Sequence, residues 1–437
     1  MSRADREAAF LKAATWHGRL DDAEAMLATH PELRSASIHI AAVLGDEGGV
    51  RRYVANDPAS ATAKAPPYAG DALNYLGLSK YLRLHPERTD AFLRTATALL
   101  DAGAPAHTGF WNHGEFETAL YGAAGVAHNE PLTRLLLARG ADPNDEDAVY
   151  HVGESRDLGA LKAMVETGRV TPENLSLMLI RKHDWHDTEG ARWLLEQGTD
   201  PNHERTRAWL AIHHALARDN ALAMFELLLD HGADPLKVKD GLTAVARAGR
   251  EGRSDVLTLF ARRGVPMDLE GVDRLIAACA RGDATSVRAI AREHPGLAGE
   301  VLGMGGTLLA KFAGTCNPAG VRQLLDLGVD VAAPFAEGDG YWGEPPGSLA
   351  IHVAAWRACT PVVELLIERG SPVDAPDANG MTPLALAVKA CVDSYWTEYR
   401  SPASARALLE AGASVEGVPY PSGYPELDDL LKAHGAS

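Results

Sequence analysis

Residues 377–387 read Asp377-Ala378-Asn379-Gly380-Met381-Thr382-Pro383-Leu384-Ala385-Leu386-Ala387. Asn-Gly is a turn dipeptide. Thr382 and Pro383 then open a helix. The threonine hydroxyl accepts from an unpaired first-turn amide, and proline sits where its missing N–H costs nothing. The small alanines that follow let a second helix approach closely. The same kind of unit recurs outward in both directions. Its upstream landmark is an apolar residue, often a histidine, then two small residues: Ile38-His39-Ile40-Ala41-Ala42, Ile212-His213-His214-Ala215 and Ile351-His352-Val353-Ala354-Ala355. Its closing landmark is an apolar pair, two polar residues, glycine and a small residue. Leu99-Leu100 with Gly103-Ala104, Leu136-Leu137 with Gly140-Ala141, and Leu194-Leu195 with Gly198-Thr199 are copies. Others end at Gly232, Gly264, Gly328, Gly370 and Gly412. A glycine in that place predicts a left-handed cap on the second helix. No single unit buries its own apolar face, so the units must stack into one continuous core.

These landmarks resemble the ankyrin repeat family, whose unit of about 33 residues carries a T-P-L-H-x-A signature. The stretch at 377–387 departs at Ala385, where the family has histidine. Asp240-Gly241-Leu242-Thr243-Ala244-Val245 is a weaker copy, and Thr118 to Asn144 matches from Thr-x-Leu to Ala-Asp-Pro-Asn. About twelve units fit between Phe10 and Glu416. The resemblance implies an all-α solenoid of helix-turn-helix units with projecting finger loops. It predicts one elongated array over residues 1–418 and a capping segment over 419–437, whose Leu427, Leu430 and Leu431 cover the last repeat. It also implies that His39, His213 and His352 tie neighbouring loops together by hydrogen bonds.

Composition bounds the function. The formal net charge is −17, with 46% hydrophobic and 23% charged residues. That suits a soluble chain and argues against a nucleic-acid groove, which needs clustered Lys and Arg. A basic partner surface is mildly favoured. The opening residues hold no apolar stretch, and no run approaches 18 apolar residues, so neither a signal peptide nor a membrane span is expected. Cys279, Cys316, Cys359 and Cys391 form no C-x-x-C pair. They align near the turn after the first helix of successive units, and stacking at the family's spacing of about 10 Å would keep them beyond the reach of a disulfide, about 7 Å. Four free thiols point to a reducing cytoplasm.

Several units depart from the pattern. His30-Pro31 and His294-Pro295 replace the closing Gly-Ala, and the third unit is stretched around Tyr81 to Asp90. The inter-helix turn of the sixth is His183-Asp184-Trp185-His186-Asp187, and the twelfth carries an insertion over Asp393 to Arg400. Two fingers are long, aromatic and acidic: residues 107–117, with Phe110, Trp111, His113, Glu115 and Glu117, and residues 334–347, with Glu337, Asp339, Tyr341, Trp342 and Glu344. In the resembling family, fingers and first helices line the concave face that usually holds the partner.

Trp111, His113, Glu115, Trp185, Trp209, His214, Tyr341, Trp342 and Glu344 are therefore the candidate binding residues. Exposed aromatics are typical anchors of interfaces; the plainer reading is that they pack long loops onto the solenoid. The His183–Asp187 segment is not H-E-x-x-H on a helix face, so it reads as an exposed turn and no metal is expected. No P-loop and no G-x-S-x-G elbow occurs, and Gly303-Met304-Gly305-Gly306 does not follow a strand. No cofactor is expected. The function expected is a module that holds a protein partner on its concave face and two long fingers, without nucleic acid or membrane. The alternative is an enzyme or small-molecule binder whose fingers enclose a pocket.

Overall fold

The computed structural model describes residues 2–204, 210–394 and 400–436. Trp209 and residues 395–399 of the insertion lie outside them. The chain divides into two compact units. Unit 1 comprises Met1–Ala211 with Asp230–Ala233, and unit 2 comprises Ile212–Leu229 with Asp234–Ser437. Each is a stack of short antiparallel helix pairs, and among the described residues each has six. In unit 2 the pairs run from Ala211–Ala217 with Leu222–Asp230 to Pro383–Asp393 with Ala403–Glu410, and the helix Pro425–Ala433 follows with Leu427, Leu430 and Leu431 buried. The fold is an all-α solenoid.

Two left-handed positions recur in each repeat, and they shape it. One follows the second helix: Gly103, Gly140, Gly198, Gly232, Gly264, Gly328, Gly370 and Gly412 all have positive φ. The other sits in the inter-helix turn, at Trp16, Gly45, His128, His186, Asp219, Gly252, Gly282, Cys316 and Ala358. The next residue caps the second helix. Asp46, Asn129, Asp187, Asp283 and Asn317 each accept a hydrogen bond from the amide three residues on. Thr382 caps its helix from Ala385 as its sequence predicts.

The signature histidines tie loops together. His39 Nε2 meets the Ala63 carbonyl at 2.7 Å, His213 Nε2 meets Lys237 at 3.0 Å, and His352 Nε2 meets Ala375 at 2.7 Å. Each reaches the finger that precedes the next repeat. The His30-Pro31 and His294-Pro295 departures share one device. Each histidine has φ −133°, with ψ of 69° and 75°, and its proline opens a short helix.

The finger at 107–117, read as a loop, contains strands: Gly109–Asn112 and Glu115–Thr118 form an antiparallel hairpin around a His113-Gly114 turn with both φ positive. That is the primed geometry that two-residue hairpins require. The segment His183–Asp187 is not simply exposed. His183 and Asp187 are buried, Asp187 pairs with the buried Lys182 at 2.8 Å, and Trp185 alone projects, 47% exposed. Finally, Cys316 and Cys359 form a disulfide with their Cα atoms 5.5 Å apart. Cys316 occupies the left-handed turn position and Cys359 the cap position of the next described pair. The turns approach more closely than the helix bodies whose spacing set the expectation. The argument from four free thiols to a reducing compartment falls away with it. Cys279 is a buried small hydrophobe, and burial pushes its thiol up to about 12.

Gly252 shows how tight the turn edge is. Its φ is +74°, and an added Cβ would lie 2.6 Å from the ring of the buried Phe312. Gly252→Ala is expected to cost about 2 kcal/mol through left-handed strain and overpacking together. A denaturation midpoint that does not move would refute this.

Candidate functional site

In unit 1 the hairpin alternates. Phe110 faces Glu117 across the strands, and both are buried. Trp111 faces Phe116 on the other side, with ring centroids 5.2 Å apart, and Trp111 is 72% exposed. The buried face is held down by Phe110, stacked on Tyr68 at 5.1 Å and edge-on to Trp16 at 5.8 Å. Lys64 Nζ donates to the Gly109 carbonyl at 3.1 Å and Asn74 Nδ2 to that of Glu117 at 3.0 Å. These contacts present Trp111 on a rigid support, so little side-chain freedom remains to be lost on binding.

On the hairpin's opposite face, one carboxylate oxygen each of Glu115, Glu117 and Asp147 lies within 4.8 Å of the others. Burial first, then neighbouring carboxylates, hold Asp147 above its ordinary range. Burial does the same for Glu117 despite a hydrogen bond from Asn112 at 3.2 Å. The result is an exposed indole on one face of the hairpin and a cluster of carboxylates on the other. His113 stands at the exposed hairpin tip.

In unit 2 the finger 334–347 is built differently. Phe335 pairs with Ser348, and Asp339 and Glu344 exchange backbone hydrogen bonds of 2.8 and 2.9 Å. Asp339 Oδ1 accepts from the amides of Tyr341 and Trp342. Trp342 does not project: it is 8% exposed, with the Arg357 guanidinium 3.3 Å over its ring, and its carbonyl accepts from Trp356 Nε1 at 2.7 Å. Tyr341 carries Arg218 over its ring at 4.2 Å.

Beneath the finger, the inter-helix turns of unit 2 converge on a network of ions. Asp219 accepts from Arg253 at 3.0 Å and from Arg357 at 2.7 Å, although Arg357 lies 138 residues away in sequence. Arg253 also forks onto Asp255 at 2.9 and 2.8 Å, and Lys311 Nζ meets both oxygens of Glu251 at 2.7 Å. Glu344 lies against this network, 8% exposed, with its Oε1 buried and no hydrogen-bond partner for it among the described residues. Burial, only partly offset by Arg357, pushes its carboxyl up to about 7.

The candidates thus fall into separate groups. Trp111, His113 and Glu115 share the unit 1 hairpin. Tyr341, Trp342 and Glu344 share the unit 2 finger. His214 is buried on the helix Ala211–Ala217, and Trp185 stands on its own turn. Sequence reading missed Asp147, Asp219, Arg253, Lys311 and Arg357. One signal was legible: Arg253 stands at a cap position that other repeats fill with Asp or Asn, and a guanidinium cannot accept the capping hydrogen bond.

No described helix is long and apolar enough to cross a membrane. Residues 347–378 match the family model described as "Ankyrin repeat". A 98-residue stretch is 33% identical to a Danio rerio protein described as "Putative palmitoyltransferase ZDHHC13"; it covers 22% of this chain and 13% of that protein's length. The human ASB11 ankyrin repeat domain is similar at 20% identity, over 62% of this chain and 98% of that one, with a TM-score of 0.27. The matched residues include the helix pair Ala350–Trp356 and Thr360–Glu368, so the chain carries an ankyrin repeat at 347–378, and helix pairs of the same kind recur through the described residues.

Proposed function

We propose that the chain is a protein-binding module whose partner docks on the finger side of unit 1, with Trp111 as the anchor. Ankyrin repeats are in general protein–protein interaction modules, and the observation that carries this more specific reading is the exposed Trp111 on a braced hairpin. A large aromatic held rigidly in solvent is the kind of residue that dominates binding energy. The carboxylates of Glu115, Glu117 and Asp147, on the hairpin's other face, favour a partner segment that carries Lys or Arg. Such charges set association rate and salt dependence more than final affinity.

Capture from the native host's lysate, read by mass spectrometry, tests this. Wild type is expected to retain a protein partner. Trp111→Ala should weaken that binding by about 30-fold, the equivalent of about 2 kcal/mol at a hot spot, with no change in melting temperature. Glu115→Gln with Asp147→Asn should chiefly slow association and flatten its salt dependence. A partner held equally well by Trp111→Ala removes the hairpin from the interface. A second reading, a small-molecule site under the finger 334–347, is favoured by the unmatched oxygen of Glu344.

A further inference from the structure

We propose that the finger Phe335–Ser348 and the turn edge of unit 2 bind a small organic monocation with N–H donors, an alkylammonium or alkylguanidinium, whose N–H groups pair with the carboxylate of Glu344. This rests on the small-molecule reading of that finger and not on the protein-binding one.

The argument begins with what is already matched. Arg253 and Arg357 share Asp219, Arg253 takes Asp255 as well, and Lys311 takes Glu251. Asp339 uses Oδ1 on two finger amides, and Arg218 lies on the neighbouring Tyr341. Among the described residues neither Asp339 nor Glu344 is ion-paired, but Asp339 is matched by two finger amides, and Glu344 is the one whose buried oxygen meets no donor.

A buried acceptor left unmatched is costly, and a charged one more so. Nothing in the local packing demands it, since glutamine would fill the same shape without the charge. The residue makes sense as half of a pair whose other half comes from outside the chain. An anion would add to the excess charge, and a neutral donor would leave it in place. A monocation with N–H groups removes both deficits together, with a charge-assisted hydrogen bond.

Binding should also move a proton. The groups whose charges act on Glu344 are Arg357, Asp339, Lys311 and Asp219. Burial holds part of the Glu344 population protonated at neutral pH, and a bound cation would drive it to ionise.

The test is calorimetric titration of the full chain with n-butylguanidinium chloride, with sodium butyrate and tetramethylammonium chloride as controls. Wild type at pH 8 is expected to bind butylguanidinium saturably, and Glu344→Gln at least about tenfold more weakly. At pH 6.5, buffers of different ionisation enthalpy should reveal a proton released on binding to wild type and none in the glutamine variant. Glu344→Asp, which keeps the charge on a shorter stem, should bind weakly yet still release the proton. Circular dichroism and melting verify that each variant is folded. Equal affinity of wild type and Glu344→Gln overturns the proposal, as does tetramethylammonium matching butylguanidinium, or the absence of saturable binding by any of them. If butyrate binds instead and is insensitive to Glu344→Gln, the small-molecule reading stands and the cationic ligand class falls.

Discussion

Replacing Arg253 with methionine is expected to lower the stability of unit 2 by about 3–5 kcal/mol, the usual consequence of removing one partner from a buried ion network. Arg253 is 5% exposed and lies over the ring of Phe225 at 5.0 Å. Its guanidinium donates to Asp219, to both oxygens of Asp255 and to the Asn220 carbonyl at 2.8 Å. Burial opposes its charge, yet Asp255 and Asp219 outweigh that and hold the group more firmly protonated than usual. Methionine keeps the stem's packing but leaves these acceptors facing a thioether. Lysine should recover only part of the loss, because a point charge cannot fork onto Asp255 and reach across to Asp219 together. Chemical denaturation, with hydrogen exchange of the amides in Ser254–Arg262, reads the effect. A loss below about 1 kcal/mol would show that the network is incidental to stability.

Glu344→Gln is expected to act in the opposite direction, by an amount that grows as pH rises from about 4.5 through about 7. The carboxyl's ordinary value is 4.5, and burial first, with Asp339 and Asp219 adding and Arg357 and Lys311 opposing, raises it to about 7 in the folded chain. The folded state therefore holds this proton more tightly than the unfolded one. The stability that follows is fully present below about 4.5 and is lost as pH rises through about 7. The span corresponds to about 3 kcal/mol. The difference between Glu344→Gln and wild type should thus be small at pH 5. At pH 8.5 the variant should be more stable by about 3 kcal/mol. Comparing the two proteins at both pH values cancels the other titrating groups. A difference that does not change with pH would mean that Glu344 is not held in a desolvated place.

Much of the fold was legible because the repeat writes its local chemistry into every copy. Gly at the helix end, Thr at the cap and histidine at the loop tie are each required by backbone geometry within a few residues, and Gly140, Thr382 and His352 all take the expected roles. The hairpin at 109–118 was not legible: Phe110 and Trp111 are adjacent rather than alternating with polar residues, and four-residue strands fall short of a recognisable period.

The candidate residues were found as members of long fingers, and sequence could not rank their exposure. Trp111 and Trp342 occupy similar loops, yet one is 72% exposed and the other 8%. The difference lies in Arg357, which covers Trp342 from the following helix pair.

Sequence alone determined the class of fold, the repeating unit and the places where it breaks. Each of those depends on residues close together in the chain. Only the tertiary structure decided which breaks belong together. Asp219 meets Arg357 across 138 residues, Cys316 bonds Cys359 across 43, and Glu344 Oε1 meets no donor among the described residues, because the turns of unit 2 converge along one edge. That convergence follows from small rotations between packed helix pairs, summed over several repeats, and no single repeat's sequence specifies the sum.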